Sequence, residues 1–217
     1  MENGFYHIYN RGIEKRNIFL DEQDFQVFLS YLKIYLTPKD IPYLNSVFEL
    51  EKSTPKEKDK ALKLLALKNY SDKIDLLCYA LMPNHFHFLV QQKTVDGINH
   101  FIKSLGTKYS MYFNKKYHRV GTIFQGVYKA VLVDDENYLL YLLYLSRYIH
   151  NNPPKGSNYP TSLPEYLGIR SSAWIKPELI LTYFSKANPQ NSYSSFLSEK
   201  TLEESISKYM IEADDVY

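Results

Sequence analysis

Acidic residues are absent from Gly97 to Val133, and cysteine occurs once in 217 residues. No apolar run approaches the ~20 residues that a membrane-spanning helix requires. The single cysteine, Cys78, cannot form an internal disulfide, and the reducing cytoplasm is the compartment this suits. Its neighbours Leu77 and Tyr79 make it a core residue rather than an activated thiol. Met1-Glu2-Asn3-Gly4 has neither a basic region nor an apolar one, which speaks against export. Internal repeats, low-complexity tracts and helicase-type phosphate loops are also missing. With 45% hydrophobic and 23% charged residues, the chain has the composition of a globular protein with a sizeable core.

What is present begins with Pro83-Asn84-His85-Phe86-His87, followed by Phe88-Leu89-Val90. Side chains alternate along a strand, so His85 and His87 share one face while Phe86 and Phe88 share the other. Two imidazoles placed in this way can converge on one metal ion. The run Leu76–Met82 reads as a partner strand, with Pro83-Asn84 as the turn. Such a histidine pair alone is as readily a packing feature. A second element adds weight: Arg147-Tyr148-Ile149-His150-Asn151-Asn152-Pro153 closes a helix expected from about Asp135, with Asp134 and Asp135 as capping candidates. At ~100° per residue, Tyr144, Tyr148 and Asn152 fall on one face of that helix, and His150 points away from it. Tyr148 alone, one of 21 tyrosines, would be read as packing.

Together, Leu81-Met82-Pro83-Asn84-His85-Phe86-His87 and Tyr148-Ile149-His150-Asn151-Asn152-Pro153 resemble the single-tyrosine HUH transposases, in particular the branch associated with REP elements. Tyr6-His7-Ile8-Tyr9-Asn10-Arg11-Gly12 is similar to that family's opening strand and turn, and Gly121–Lys129 to its intervening strand. The resemblance spans roughly residues 4 to 154, in order. It implies that His85 and His87 are metal ligands, Tyr148 is the nucleophile and Asn152 is the third ligand, where many relatives carry Gln. It further implies magnesium or manganese as cofactor, and single-stranded DNA with a hairpin as substrate. Strand cleavage would leave a 5′-phosphotyrosine and a free 3′-hydroxyl, and strands would be rejoined near the hairpin. A homodimer is allowed and a membrane partner is not expected. A replication initiator or relaxase shares this chemistry, and a non-catalytic single-strand-binding module shares the sheet. Finding Tyr148 remote from both histidines, within its own subunit and across a dimer, would favour the module.

The acid-free stretch carries Lys103, Lys108, Lys115, Lys116, Arg119 and Lys129, interleaved with aromatic residues. Lysines neutralise phosphates and exposed rings stack on unpaired bases, so these six residues and Arg11 are candidate DNA contacts. Helical spacing of Ile98, Phe101, Ile102, Leu105, Tyr109 and Tyr112 assigns much of the aromatic content to a core instead.

The expected order is a strand at Phe5–Tyr9, a helix at Asp21–Leu36 and a charged insertion at about 37–73. A helix inside the insertion starts at a capping box, Thr54-Pro55-Lys56-Glu57, and runs to about Lys68. Two strands follow, then a helix over Gly97–Tyr117, a strand over Gly121–Val133 and the tyrosine helix. This is an α+β, ferredoxin-like (RRM-like) antiparallel sheet with helices on one face, leaving the other face for a ligand, and the resemblance implies that it is the HUH endonuclease fold. Residues 1–153 form the expected catalytic domain, and 154–217 a small helical extension that packs on it or contacts DNA. Short helices are expected over Glu178–Phe184 and near Thr201–Ile211.

Overall fold

The computed structural model describes residues 1–134 and 136–199. Four strands, β1 (Phe5–Arg11), β2 (Ile74–Met82), β3 (His85–Gln92) and β4 (Lys129–Val133), pair antiparallel in the order β2-β3-β1-β4. That order is the split βαβ plan expected from the sequence. Helices α1 (Glu22–Leu36) and α4 (Gly97–Lys116) cover one face. Phe28 and Leu32 of α1 and Phe101, Leu105 and Tyr109 of α4 join Ile8, Phe86 and Phe88 of the sheet in one apolar cluster.

Because Phe86 and Phe88 face that cluster, His85 and His87 face the other way. The second face is not open along its length: α5 (Tyr138–Asn151) packs there, with Leu142, Leu145 and Ile149 against Cys78, Ala80, Met82 and Leu89. A sheet with both faces apolar needs two covers, which the alternation in β3 conceals because polar histidines sit at one end of it. Cys78 is fully buried, and burial pushes its thiol pKa up.

Local chemistry explains most element boundaries. Asp21 caps α1 by accepting the Asp24 N–H, and Thr54 and Glu57 form the capping box that opens α3 (Pro55–Ala66). The insertion also holds α2 (Ile41–Glu49), which prolines at 38 and 42 obscure in the sequence, although Pro42 sits in its first turn, where the missing N–H costs nothing. The strand expected over Gly121–Val133 is confined to Lys129–Val133. Gly121 and Gly126 adopt positive φ (90° and 66°), and the segment ahead of β4 meets the sheet through an isolated Gly12–Phe124 bridge and a Gln125 N–H bond to Arg11 O (2.8 Å) rather than as a continuous strand. Helix α5 begins at Tyr138, and Asp135 and Thr201–Ile211 lie outside the described residues.

After Pro153 the chain returns to the edge of β2. The Leu81 N–H donates to Pro160 O (2.9 Å) and the Ser162 N–H to Tyr79 O (3.1 Å), and Lys176 N–H donates to Leu76 O (2.9 Å). Trp174 stacks on Tyr79, with ring centroids 5.5 Å apart. These residues satisfy backbone groups that an edge strand would otherwise expose. Three short helices complete the described chain: α6 (Leu163–Tyr166), α7 (Glu178–Leu181) and α8 (Tyr193–Ser198). Of these, α7 stops three residues short of the expected Phe184.

Candidate active site

The β1–β3 register sets Tyr9 opposite His87 and Arg11 opposite His85, so all four side chains share one face. The turn between β2 and β3 is held from β1: the Gly12 N–H donates to Asn84 O at 2.7 Å. A Cβ at Gly12 would lie 2.0 Å from Arg16 O, so only glycine lets the chain fold back there.

The Asn84 side chain fixes the first histidine. Its Nδ2 donates to Lys15 O (3.2 Å), which turns its Oδ1 toward His85 Nδ1 at 2.6 Å. An amide oxygen only accepts, so His85 carries its proton on Nδ1 and presents a bare Nε2. That Nε2 lies 3.2 Å from Asn152 Oδ1. The two atoms are thus spaced at nearly the ~3 Å that separates neighbouring ligands of an octahedral ion with ~2.1 Å bonds. Burial, only partly offset by the Asn152 amide and reinforced by nearby Arg11, holds the His85 pKa below its ordinary value. His87 is 1% exposed, and burial followed by its neighbours His7 and His85 drives its pKa well down, so it is neutral and able to ligate. Among the described residues no three His, Cys, Asp or Glu side chains are placed to hold a metal ion together, so the third protein donor would be the neutral amide of Asn152.

Helix α5 brings Tyr148 to this point. Its ring meets His87 edge-on, centroids 5.7 Å apart and planes at 80°, and His7 in the same manner at 6.0 Å. Tyr144, its rival on the same helical face, instead packs against Phe196 of α8 (5.8 Å) beneath the Arg147 guanidinium. Asn152 caps the C-terminal end of α5, where the helix dipole adds partial negative charge. His150 points away from the site, as its spacing requires, and is bonded to Tyr193 OH (2.7 Å) and Ser162 Oγ (2.8 Å).

The candidate DNA contacts divide into two groups. Arg11 and Lys129 line a small recess with His85 and Gln125, and Arg11 Nε donates to Gln125 Oε1 at 2.8 Å. The residues of α4 stand on the opposite face of the sheet. Lys103, Lys108 and Lys115 line a cleft of about 790 Å³ with Lys68, Tyr31 and Tyr112. Arg119 lies over the Phe113 ring (5.9 Å) just beyond α4. Lys116 stands apart from the other lysines: its ammonium is held between Asp21 (2.7 Å) and Asp24 (2.8 Å), and Asp24 is fully buried. A lysine neutralised by two carboxylates ties α4 to α1 and offers little to a phosphate. Sequence reasoning also missed His7, which only the β1–β3 register brings to the site.

A histidine pair on a sheet strand, faced by a tyrosine and an amide from one helix, is the class of site defined by this fold. Residues 51–152 match the family model described as IS200-like transposase. Among solved structures, a REP-associated tyrosine transposase bound to a REP hairpin is similar, with 11% identity, a TM-score of 0.44, and 81% of this chain and 87% of that one covered. No curated protein matches the sequence.

Proposed function

We propose that this transposase domain cuts and rejoins single-stranded DNA through a covalent bond to Tyr148, with His85, His87 and Asn152 as ligands of a divalent cation. One observation carries the reading: the Tyr148 ring lies 5.7 Å from that of His87 while Asn152 Oδ1 lies 3.2 Å from His85 Nε2, so nucleophile and donors meet at one end of the sheet. The non-catalytic alternative calls for a tyrosine remote from the histidines. A bound magnesium or manganese ion would polarise a non-bridging phosphate oxygen and stabilise the charge that builds up in the displacement.

The protein's own groups do the rest. Tyr148 Oη attacks phosphorus and releases its proton to solvent. The bond to the 3′-oxygen breaks, and that oxygen leaves protonated as a free 3′-hydroxyl. The 5′-phosphotyrosine keeps an activated linkage, which a 3′-hydroxyl can attack in reverse to rejoin strands. Arg11, oriented by Gln125 beside His85, and Lys129 are suited to hold the scissile phosphate. Lys103, Lys108 and Lys115 are suited to a hairpin stem that passes behind the sheet. Residues 1–153 supply the chemistry and the later residues an extension that braces α5. Such an enzyme works where its DNA is, in the cytoplasm.

The test is covalent capture. Single-stranded oligonucleotides drawn from the flanks of the gene, with magnesium or manganese, should give a protein–DNA adduct resistant to denaturant. Chelator should abolish it. Oligonucleotide binding with no adduct under any metal condition would favour the single-strand-binding module.

A further inference from the structure

A third histidine stands behind the pair. His7 of β1 is fully buried, its ring stacks on His87 (centroids 5.1 Å, planes at 22°), and its Nε2 lies 2.9 Å from His87 Nδ1. Two imidazole nitrogens at this distance share one proton, so one nitrogen donates and the other accepts. If His7 donates, the His87 proton sits on Nε2 and that nitrogen cannot ligate. If His87 Nδ1 donates, Nε2 is left bare and directed outward. The His85 ring is arranged in the second way by Asn84.

We propose that His7 is a positioning residue: by accepting the proton of His87 Nδ1 it fixes the tautomer and tilt of that ring, so that Nε2 is offered to the cation shared with His85 and Asn152. The inference rests on the cation site proposed above. Metal-ligating histidines commonly use the second nitrogen in this manner, with a carboxylate, carbonyl or water as acceptor. Unlike a carboxylate, an imidazole acceptor is uncharged, so it orients the ligand without adding negative charge beside an incoming phosphate. Strand register makes the contact. His7 is opposite Leu89 and so lies diagonally from His87 on the same face, while Tyr9, directly opposite, walls the His87 ring at 5.9 Å.

The test has two readouts besides activity. In metal-free wild-type protein, nitrogen-15 spectra of the imidazoles should show His87 protonated at Nδ1 and bare at Nε2. Manganese binding followed by electron paramagnetic resonance should weaken by about 10- to 100-fold in His7→Phe, which keeps a ring but removes the acceptor. His7→Gln, whose Oε1 can accept in its place, should restore affinity to within about threefold of wild type. Manganese bound equally by wild type and His87→Ala would bring down the cation site, and this inference with it. Manganese lost in His87→Ala but retained in His7→Phe would overturn the His7 role alone. A proton found on His87 Nε2 in the wild type would overturn it without any variant, which covers the case of a His7→Phe protein that does not fold.

Discussion

His85 Nε2 and Asn152 Oδ1 stand 3.2 Å apart, a spacing that suits two ligands of one cation. Removal of either imidazole should therefore be severe. His85→Ala and His87→Ala are each expected to lower metal-dependent cleavage by more than about a hundredfold, or about 2.7 kcal/mol of barrier. Asn152→Ala should cost only about tenfold, since water can replace a neutral amide. Single-turnover cleavage rates over a manganese titration check this, and normal rates in the double histidine variant would contradict it. Period-two alternation makes the histidine pair legible in the sequence, and helical spacing does the same for Tyr148 and Asn152. Helical spacing cannot separate Tyr148 from Tyr144, because what distinguishes them is the packing of Phe196 on the latter. The Lys116 partners Asp21 and Asp24 lie far away in the sequence, so an acid-free stretch reads as an unpaired basic one.

At the scale of elements, α1 and α4 are joined by a half-buried charge pair and α5 is joined to the extension by a buried histidine. Burial acts to raise the Asp24 pKa, but hydrogen bonds from Lys116, the Leu20 N–H and the Tyr117 hydroxyl outweigh it and hold the carboxyl below its ordinary value. Lys116→Met leaves that carboxylate with hydrogen bonds but no cation and should cost about 2 kcal/mol in urea unfolding. An effect on DNA affinity without one on stability would restore Lys116 as a phosphate contact. For α5, His150 is 5% exposed between Tyr193 and Ser162, and burial pushes its pKa down to about 3. The unfolded chain then binds a proton that the folded one does not, at any pH between about 3 and the ordinary 6.5. Its contribution is complete above pH ~6.5 and falls by up to about 1.4 kcal/mol per unit as the solution is acidified. His85 and His87 act in the same sense, so the diagnostic quantity is a difference between proteins. The stability lost between pH ~7.5 and pH ~5 should be smaller by about 2 kcal/mol in His150→Gln than in wild type. Equal losses would mean that His150 is not held neutral. The elements were legible where a cap or an unbroken apolar stripe marks them, as in α1, α3 and α4. They were not where proline masks a first turn, as in α2, or where glycines at positive φ interrupt an apparent strand, as before β4.

For the whole molecule, the sheet separates two surfaces: the tyrosine site with Arg11 and Lys129 on one side, and the lysine-lined cleft of α1 and α4 on the other. If a DNA stem lies in that cleft, replacing Lys103, Lys108 and Lys115 by Ala should flatten the dependence of affinity on salt. Each lost contact removes a slope of about 0.9 for duplex and about 0.7 for a single strand. Equal slopes for wild type and triple variant would exclude the cleft from the DNA path. The overall plan was legible because strand and helix order alone dictates a split βαβ sheet. The second helical layer was not, since it depends on α5 and the extension meeting β2 through contacts distant in sequence. The most direct measurement of the central claim is the position of covalent attachment. After reaction with a single-stranded oligonucleotide and nuclease trimming, mass spectrometry of peptides should place a nucleotide remnant on Tyr148, and Tyr148→Phe should yield no adduct while Tyr144→Phe reacts as wild type. A remnant on Tyr144, or an undiminished adduct in Tyr148→Phe, would contradict the account.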